Sequence, residues 1–319
     1  MAKLYFKYGA MGSSKTASAL MCRFNYIQKD MNVLLMKPKI DTRFSENEVV
    51  SRIGLSAPCY AFASTENLLD FFENENNTKK IDVVIVDECQ FCTKKQIEQL
   101  RTVSDKAPVL CYGLLTNFKG ELFEGSKRLV EICDSMTEIK SVCECGKKAK
   151  MNAKFVHGVI STEGNEVDIG ADEKYKGLCY SCFNKEQRKA TIYNKIIKHL
   201  KIFKNKDDAG HWSSDTFADN IILQRPYVIY DADVKAFIED FKNVSYKTTE
   251  ELVLVSDNFE SLKKLPVKDK SFEYVMSIIS YVLKLEKEKP GLLKALIEED
   301  VMTKWLKQIK KTVDHEDFE

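Results

Sequence analysis

The stretch that decides the fold runs from Leu4 to Thr16 and reads LYFKYGAMGSSKT. Its first part, Leu4–Tyr8, has the pattern of a short strand, and a helix is predicted from about Lys15 to Gln28. A glycine-containing loop that follows a strand, opens a helix and ends in Lys-Thr is the context of a phosphate-binding loop. The stretch therefore predicts an α/β protein with a phosphate site at one edge of its sheet.

Each part of this loop has an expected task. Backbone N–H groups and the helix N-terminus hold phosphate oxygens, Lys15 neutralises the transferring group, and Thr16 holds Mg²⁺. Ser14 stands where the motif has glycine, and a side chain there costs about 1–2 kcal/mol if the position needs a positive φ. The alternative is a turn followed by a chance Lys-Thr pair. The predicted ATP phosphate-binding residues are Gly9, Ala10, Met11, Gly12, Ser13, Ser14, Lys15 and Thr16.

Three further strands are predicted at Val33–Met36, Ile81–Val86 and Val109–Tyr112. Short, wholly apolar strands separated by helices indicate a parallel sheet covered on both faces. Ligands bind such sheets at the carboxyl ends of the strands. We therefore expect the chemistry of this chain to lie where these strands end.

An acidic pair, Asp87-Glu88, directly follows the predicted strand Ile81–Val86. Asp87 is in the position of a residue that holds Mg²⁺ beside a phosphate loop. Glu88 is placed to accept a proton from a substrate hydroxyl. The alternative, two solvated carboxylates at a strand end, does not account for the phosphate loop. The nearby Cys89 and Cys92 are interpreted as packing residues.

Composition limits the classes of function. The 319 residues carry 49 basic and 48 acidic side chains, so net charge gives no sign of a nucleic-acid surface. The sequence contains no run of about 18 apolar residues that would predict a membrane span. Its N-terminus lacks the long apolar stretch of a signal peptide. All ten cysteines are therefore expected to be reduced, in the cytoplasm.

The cysteines and glycines mark a boundary near residue 190. Every cysteine and eleven of the thirteen glycines precede it. Beyond it the chain is predicted to be mainly helical, with long helices over 271–287 and 291–313 that are separated at Pro290-Gly291. Another helix is indicated by an apolar face of Val234, Phe237, Ile238 and Phe241.

Two cysteine pairs, Cys143/Cys145 and Cys179/Cys182, precede this boundary. Four thiolates in two short pairs fit a closed, structural Zn²⁺ site. The first pair is one residue shorter than the usual zinc knuckle, and the alternative is four reduced thiols in a core. His157, between the pairs, is interpreted as a loop residue.

The motifs together resemble one family, the type II thymidine kinases, with bacterial and bacteriophage members most similar. The resemblance covers about residues 1–190 in collinear order. The segments that carry it are Tyr8–Met11, Asp41–Arg43, Asp87–Phe91, Tyr112–Phe118, Leu122–Ser126, Ile169-Gly170 and Tyr175.

The resemblance implies roles for individual residues. Glu88 is similar to the family's catalytic base, and Arg43 to the arginine that stabilises transferred charge. Asp87 resembles the Mg²⁺ residue, and Asp41 the residue near the sugar 3′-hydroxyl. The segment from about 155 to 174 resembles a lasso loop that holds the thymine edge through backbone groups. The residues expected to bind the nucleoside are Asp41, Gln90, Phe91, Leu114, Phe118, Phe123, Asn152, Ile169, Gly170 and Tyr175, with Met11 beside them.

The expected architecture has three parts: a P-loop kinase domain (1–138), a zinc-ribbon and lasso domain (139–189) and a helical extension (190–319). The expected reaction is ATP-dependent phosphorylation of thymidine in nucleotide salvage, with Mg²⁺ and a structural Zn²⁺. The family also implies a homotetramer. Two alternatives stay open: a nucleotide-binding sensor without turnover, and a P-loop ATPase coupled to nucleic acid.

Overall fold

The central feature of the computed structural model is a six-stranded parallel sheet in the order β5-β2-β6-β7-β1-β8. The structure describes residues 3–41, 47–156, 158–161, 175–204, 206–213, 226–242, 244 and 259–315. The sheet strands are β1 (Leu4–Tyr8), β2 (Val33–Pro38), β5 (Tyr60–Phe62), β6 (Val83–Val86), β7 (Val109–Gly113) and β8 (Ser135–Glu138). The predicted α/β sheet is confirmed, with β5 and β8 added to the strands expected from sequence.

Helices cover the sheet, and two apolar cores lie between the layers. Strand β6 is buried at all four positions, which explains its wholly apolar sequence. A Thr93–Gln96 capping box fixes the start of the third helix. The helices are α1 (Lys15–Ile27), α2 (Leu68–Thr78), α3 (Lys94–Val103) and α4 (Glu124–Ile132), with a 3₁₀ turn over Cys89–Phe91. Cys89 and Cys92 are buried in one of these cores, in line with their predicted packing role.

The smaller sheets of this region lie outside the central one. A three-stranded sheet has the order β12-β11-β13, and two ribbons pair β3 with β4 and β9 with β10. Their bounds are β3 (Glu48–Val50), β4 (Ser56–Pro58), β9 (Ser141–Val142), β10 (Lys148–Ala149), β11 (Met151–Val156), β12 (Val159–Ser161) and β13 (Tyr175–Leu178).

The chain divides into two compact units, 1–155 with 160–186, and 156–159 with 187–319. The second is helical, as expected, and also contains a two-stranded ladder. Helix α5 (Tyr180–Ile197) contains the boundary between the units at residue 187. The elements after it are α6 (His199–Phe203), β14 (Gly210–Trp212), β15 (Val228–Tyr230), α7 (Ala232–Lys242), α8 (Phe259–Lys263), α9 (Phe272–Leu285), α10 (Leu292–Glu298) and α11 (Val301–His315). No helix in the described ranges is long and apolar enough to cross a membrane.

The second unit has its own apolar core. Val234, Phe237 and Phe241 of α7 are buried in it and Ile238 packs against it, which confirms the predicted apolar face. The Glu286 carboxylate accepts hydrogen bonds from the N–H groups of Gly291 and Leu293, both at 2.7 Å. These bonds satisfy free donors at the start of α10, so the chain restarts a helix directly after Pro290-Gly291.

One predicted helix is wrong. The helix expected over 291–313 is two helices, α10 and α11, because Asp300 adopts a left-handed conformation with φ 60°. Aspartate tolerates that region better than most residues. The three carboxylates Glu298, Glu299 and Asp300 favour the N-terminus of a new helix at Val301, which was the available sign of the break.

Candidate active site

The phosphate loop connects β1 to α1 and folds back on the first residue of the helix. Lys15 is buried, and its Nζ donates to the Ala10 carbonyl at 2.9 Å and lies 3.4 Å from Ser13 Oγ. The Lys15 ammonium therefore lies on the inner side of the phosphate loop. An oxygen of a bound phosphate can replace these partners there.

Ser14 occupies the last loop position with φ 58° and ψ 32°, in the left-handed region. The conformation that the motif's glycine usually supplies is therefore present here with a side chain. Its cost is of the order of 1–2 kcal/mol. The Ser14 carbonyl nevertheless accepts from Ser18 N and Ser18 Oγ, so the helix begins normally.

Replacing Ser14 with glycine is expected to stabilise the loop. Ser14→Gly removes the Cβ that conflicts with φ 58°, and the serine is exposed. The variant should melt at the same temperature or higher, and should keep or improve its KM for ATP. Thermal melting and steady-state kinetics check both. A large loss of turnover in a folded variant would instead assign a chemical task to the serine hydroxyl.

The acidic pair at the end of β6 is buried: Asp87 is 3% exposed and Glu88 8%. Burial, and then the Glu88 carboxylate, raise the pKa of Asp87 well above its usual range. Hydrogen bonds from the Thr16 hydroxyl and the Glu88 N–H, and the Lys15 charge, oppose that rise. The contact brings Thr16 and Asp87 together, and hydroxyl and carboxylate oxygens are ligands that Mg²⁺ prefers. These two residues fit the predicted metal site.

Glu88 is held in place by its neighbours. It has φ 52° in the left-handed region, and its Oε2 accepts from Gln90 Nε2 at 2.5 Å. The side-chain oxygen Gln90 Oε1 accepts from Leu114 N at 3.0 Å. A Cβ on Gly113 would lie 2.5 Å from Gln90 Oε1, so only glycine leaves room for this arrangement. Gln90, which was expected to bind the nucleoside, here also orients the predicted base.

These groups share one cavity of about 320 Å³. Asp41, Asp87 and Glu88 lie in its wall, together with part of the phosphate loop and the segment 49–53. The described chain therefore brings the predicted phosphate, metal and base residues into a single site. The predicted residues in the wall are Met11, Gly12, Ser13, Ser14, Lys15, Thr16, Asp41, Asp87 and Glu88.

Lys37 also belongs to this cavity and was not predicted from the sequence. This lysine lies on β2 in the cavity wall, is 2% exposed, and has its Nζ 3.9 Å from Asp41 Oδ2. A buried ammonium lowers the cost of burying a carboxylate beside it. The available signal was a lysine at the end of an apolar strand, at the edge where the other site residues were expected.

The aromatic residues expected around thymine form two pairs. The Phe91 and Phe123 rings meet edge to face at 5.8 Å, and the Phe118 and Tyr175 rings at 6.3 Å. Phe118 is 2% exposed and Lys154 Nζ lies 5.2 Å from its ring centroid. Within the described part of the chain, neither pair contributes to the wall of the cavity that holds Glu88. Arg43, His157, Ile169 and Gly170 lie outside the described residues, as does most of the predicted lasso.

Asn152 connects the phosphate loop to β11. Its Oδ1 accepts from Met11 N at 2.8 Å, and its Nδ2 donates to the Thr116 carbonyl at 2.7 Å. The residue is 3% exposed. An amide that sequence reasoning assigned to the thymine pocket therefore contacts the phosphate loop directly.

The four cysteines converge as predicted. The sulfur atoms of Cys143, Cys145, Cys179 and Cys182 all lie within 4.8 Å of one another. The short first pair closes a tight turn, where Gly146 has φ 80° and Gly146 N donates to the Cys143 carbonyl. The N–H of Cys182 lowers the pKa of the Cys179 thiol to about 7. Four soft sulfur donors at this spacing fit a tetrahedral Zn²⁺ site.

A phosphate loop after the first strand, an acidic pair at the end of another and a parallel sheet define a P-loop nucleotide-binding enzyme of the phosphotransferase class. The family model described as thymidine kinase matches residues 2–183, which is more than half of the chain. The chain therefore belongs to the thymidine kinase family, and the resemblance found in the sequence is confirmed.

Individual relatives agree with the family model. A thymidine kinase of Photorhabdus laumondii is 44% identical over 182 residues, which cover 56% of this chain and 90% of the relative. One of Rhodopirellula baltica is 39% identical over 210 residues, or 65% of this chain and 97% of the relative. One of Legionella pneumophila is 41% identical over 196 residues, or 60% and 94%. The chain thus spans nearly the whole length of these relatives and continues beyond them.

Proposed function

We propose that this chain transfers the γ-phosphate of ATP to the 5′-hydroxyl of thymidine, as a step of nucleotide salvage. The observation that carries the proposal is one cavity that joins the phosphate loop, the Thr16–Asp87 contact and Glu88. Membership of the thymidine kinase family supports the choice of acceptor.

In the proposed reaction, the 5′-oxygen bonds to the γ-phosphorus as the bond to the β,γ-bridging oxygen breaks, and ADP leaves. Glu88 accepts the proton of the 5′-hydroxyl, with Gln90 holding its other side. Lys15 turns from the Ala10 carbonyl to the phosphate oxygens. Thr16 and Asp87 would hold Mg²⁺, which would supply positive charge beside the phosphates. Arg43 adds positive charge at the transferring group.

The nucleoside would bind beside this site. Asp41, whose carboxylate lies next to the Lys37 ammonium, is proposed to contact the 3′-hydroxyl. The aromatic pairs supply flat apolar surface for a pyrimidine, and the lasso supplies backbone groups for its edge. The remaining residues proposed to bind the nucleoside are Met11, Gln90, Phe91, Leu114, Phe118, Phe123, Ile169, Gly170 and Tyr175. Asn152, which the resemblance also places among them, has its amide bonded to Met11 and Thr116.

The four-cysteine cluster is proposed to hold one structural Zn²⁺. Elemental analysis of the purified chain should find about one zinc per chain. Cys179→Ser should lower that content and the melting temperature, because a closed thiolate site contributes folding energy. Cys133→Ser, which changes a cysteine outside the cluster, is the matched control and should keep the zinc. A fully active chain without metal would exclude a required zinc.

Three broader proposals concern the whole chain. The domain limits 1–138, 139–189 and 190–319 remain proposals. A homo-oligomer, with a tetramer as the family suggests, is supported by exposed Met21, Phe24 and Ile27 on one face of α1, and light scattering of the full chain tests it. Action in the cytoplasm is supported by ten free thiols, and compartment-resolved localisation tests it.

The deciding experiment measures transfer of radiolabelled γ-phosphate from ATP to a panel of nucleosides. Thymidine should be phosphorylated, and deoxyuridine and other nucleosides set the preference. Binding of Mg·ATP with no transfer to any nucleoside would favour a nucleotide sensor. ATP hydrolysis that rises only when DNA or RNA is added would favour a nucleic-acid-coupled ATPase.

A further inference from the structure

We propose that Asn152 is a positioning residue of the ATP site: it fixes the phosphate loop from outside the P-loop sheet. The inference rests on the proposed function in one respect, that this loop binds ATP. It assigns to Asn152 a task different from the nucleoside contact expected from the resemblance.

The first observation is the hydrogen bonding of the Asn152 amide. The Met11 N–H reaches Asn152 Oδ1 at 2.8 Å, and Asn152 Nδ2 reaches the Thr116 carbonyl at 2.7 Å. Both contacts are made by a side chain that is 3% exposed, so water does not readily replace them. The amide therefore joins the phosphate loop to the loop after β7 at a fixed distance.

The second observation comes from the strand beside Asn152 and is independent of its side chain. Gly177 on β13 is the direct partner of Asn152 on β11. A Cβ at Gly177 would lie 2.7 Å from the Met11 carbonyl and 3.6 Å from the Ala10 Cβ. The backbone of β13 is thus packed directly against the loop, with no space for a methyl group.

The contacts of Asn152 and Gly177 involve the two backbone polar groups of Met11. Asn152 binds the N–H of Met11, and Gly177 lies against its carbonyl. The orientation of the two peptide groups on either side of Met11 sets where the following N–H groups of the loop point, and those groups are the expected phosphate ligands. Cys179 follows Gly177 by two residues, so the cysteine cluster also steadies the strand behind the loop.

The test is the Kd for Mg·ATP, measured by titration calorimetry on the full chain without nucleoside. Asn152→Leu keeps the side-chain size but removes both hydrogen bonds, and should raise this Kd by about tenfold or more. Gln96→Met is the matched control. Gln96 is equally buried, and its amide accepts from Thr93 N and donates to the Ala63 carbonyl, away from the phosphate loop. It should leave the Kd for Mg·ATP unchanged.

Gly177→Ala provides a second route in case Asn152→Leu folds poorly. Its added methyl group must displace the loop or the strand, so the Kd for Mg·ATP should again rise. Lys176→Ala changes an exposed neighbour on the same strand and should leave that Kd unchanged.

The kinetic readout separates positioning from general loss of structure. In folded, zinc-loaded variants the KM for ATP should rise by a larger factor than the KM for thymidine. If the Kd for Mg·ATP stays at the wild-type value while the KM for thymidine rises, Asn152 belongs to the nucleoside pocket and the inference is overturned. A wild-type chain that binds Mg·ATP but phosphorylates no nucleoside refutes the proposed function instead, and the calorimetric comparison still decides the role of Asn152.

Discussion

Glu88→Gln is expected to lower kcat by about 10²–10⁴-fold while leaving ATP and thymidine binding nearly unchanged. The substitution keeps the shape of the side chain and leaves an oxygen to accept from Gln90 Nε2. It removes the group that takes the 5′-hydroxyl proton. It also removes a negative charge beside Asp87, which lowers the pKa of Asp87 and favours the ionised form that binds Mg²⁺. The loss should therefore appear in kcat and not in the KM for ATP.

The matched control is Glu98→Gln, a carboxylate on α3 whose ion pair with Arg128 is on the surface. It should have normal turnover. Calorimetry with Mg·ATP and thymidine, followed by single-turnover kinetics, separates binding from chemistry in both variants. A Glu88→Gln enzyme with kcat within a few fold of wild type would remove Glu88 from the mechanism.

Lys15→Met is expected to lower kcat/KM by about 10²–10³-fold, the usual cost of losing one preorganised group that stabilises transition-state charge. Methionine has a similar length, so it replaces a buried ammonium by an apolar chain. The substitution removes the cost of burying an ammonium, but it also removes a charge that lowers the pKa of buried Asp87. Asp87 can then bind a proton and stay neutral, so the variant should melt close to the wild-type temperature, although its activity is nearly lost.

That combination distinguishes loss of chemistry from loss of structure. Lys29→Met, at an exposed position beyond the C-terminus of α1, is the control and should change neither the melting temperature nor kcat/KM. Lys15→Arg should not restore full activity, because the planar guanidinium does not fit where a compact ammonium lies. Normal kcat/KM for Lys15→Met would show that the phosphate loop serves no transfer reaction.

Local sequence patterns were sufficient for the elements around the phosphate site. β1 and the start of α1 were predicted at the observed residues, because an apolar strand, a glycine loop and a helix follow one another within a short stretch. The position of Asp87 and Glu88 followed from the same reasoning, since parallel strands end at one edge of the sheet.

Contacts between residues far apart in the sequence could not be predicted from local patterns. Nothing near Asn152 indicates that its amide binds Met11, a residue 141 positions earlier in the chain. Lys37 was missed because its burial depends on the cavity wall and not on neighbours along the strand. The break at Asp300 depends on one backbone torsion in a segment without glycine or proline.

The strand order has a consequence for synthesis of the chain. Among the strands of the central sheet, β1 leaves the ribosome before the others, yet its partners are β7 and β8. At about 5–20 residues per second, the roughly 100 residues between β1 and β7 take on the order of 5–20 s to translate. During that interval the phosphate loop has no sheet edge to hold it, and an apolar strand stays unpaired. Cotranslational binding by chaperones is therefore expected to concentrate on nascent chains that end before Glu138, and to fall once β8 has emerged.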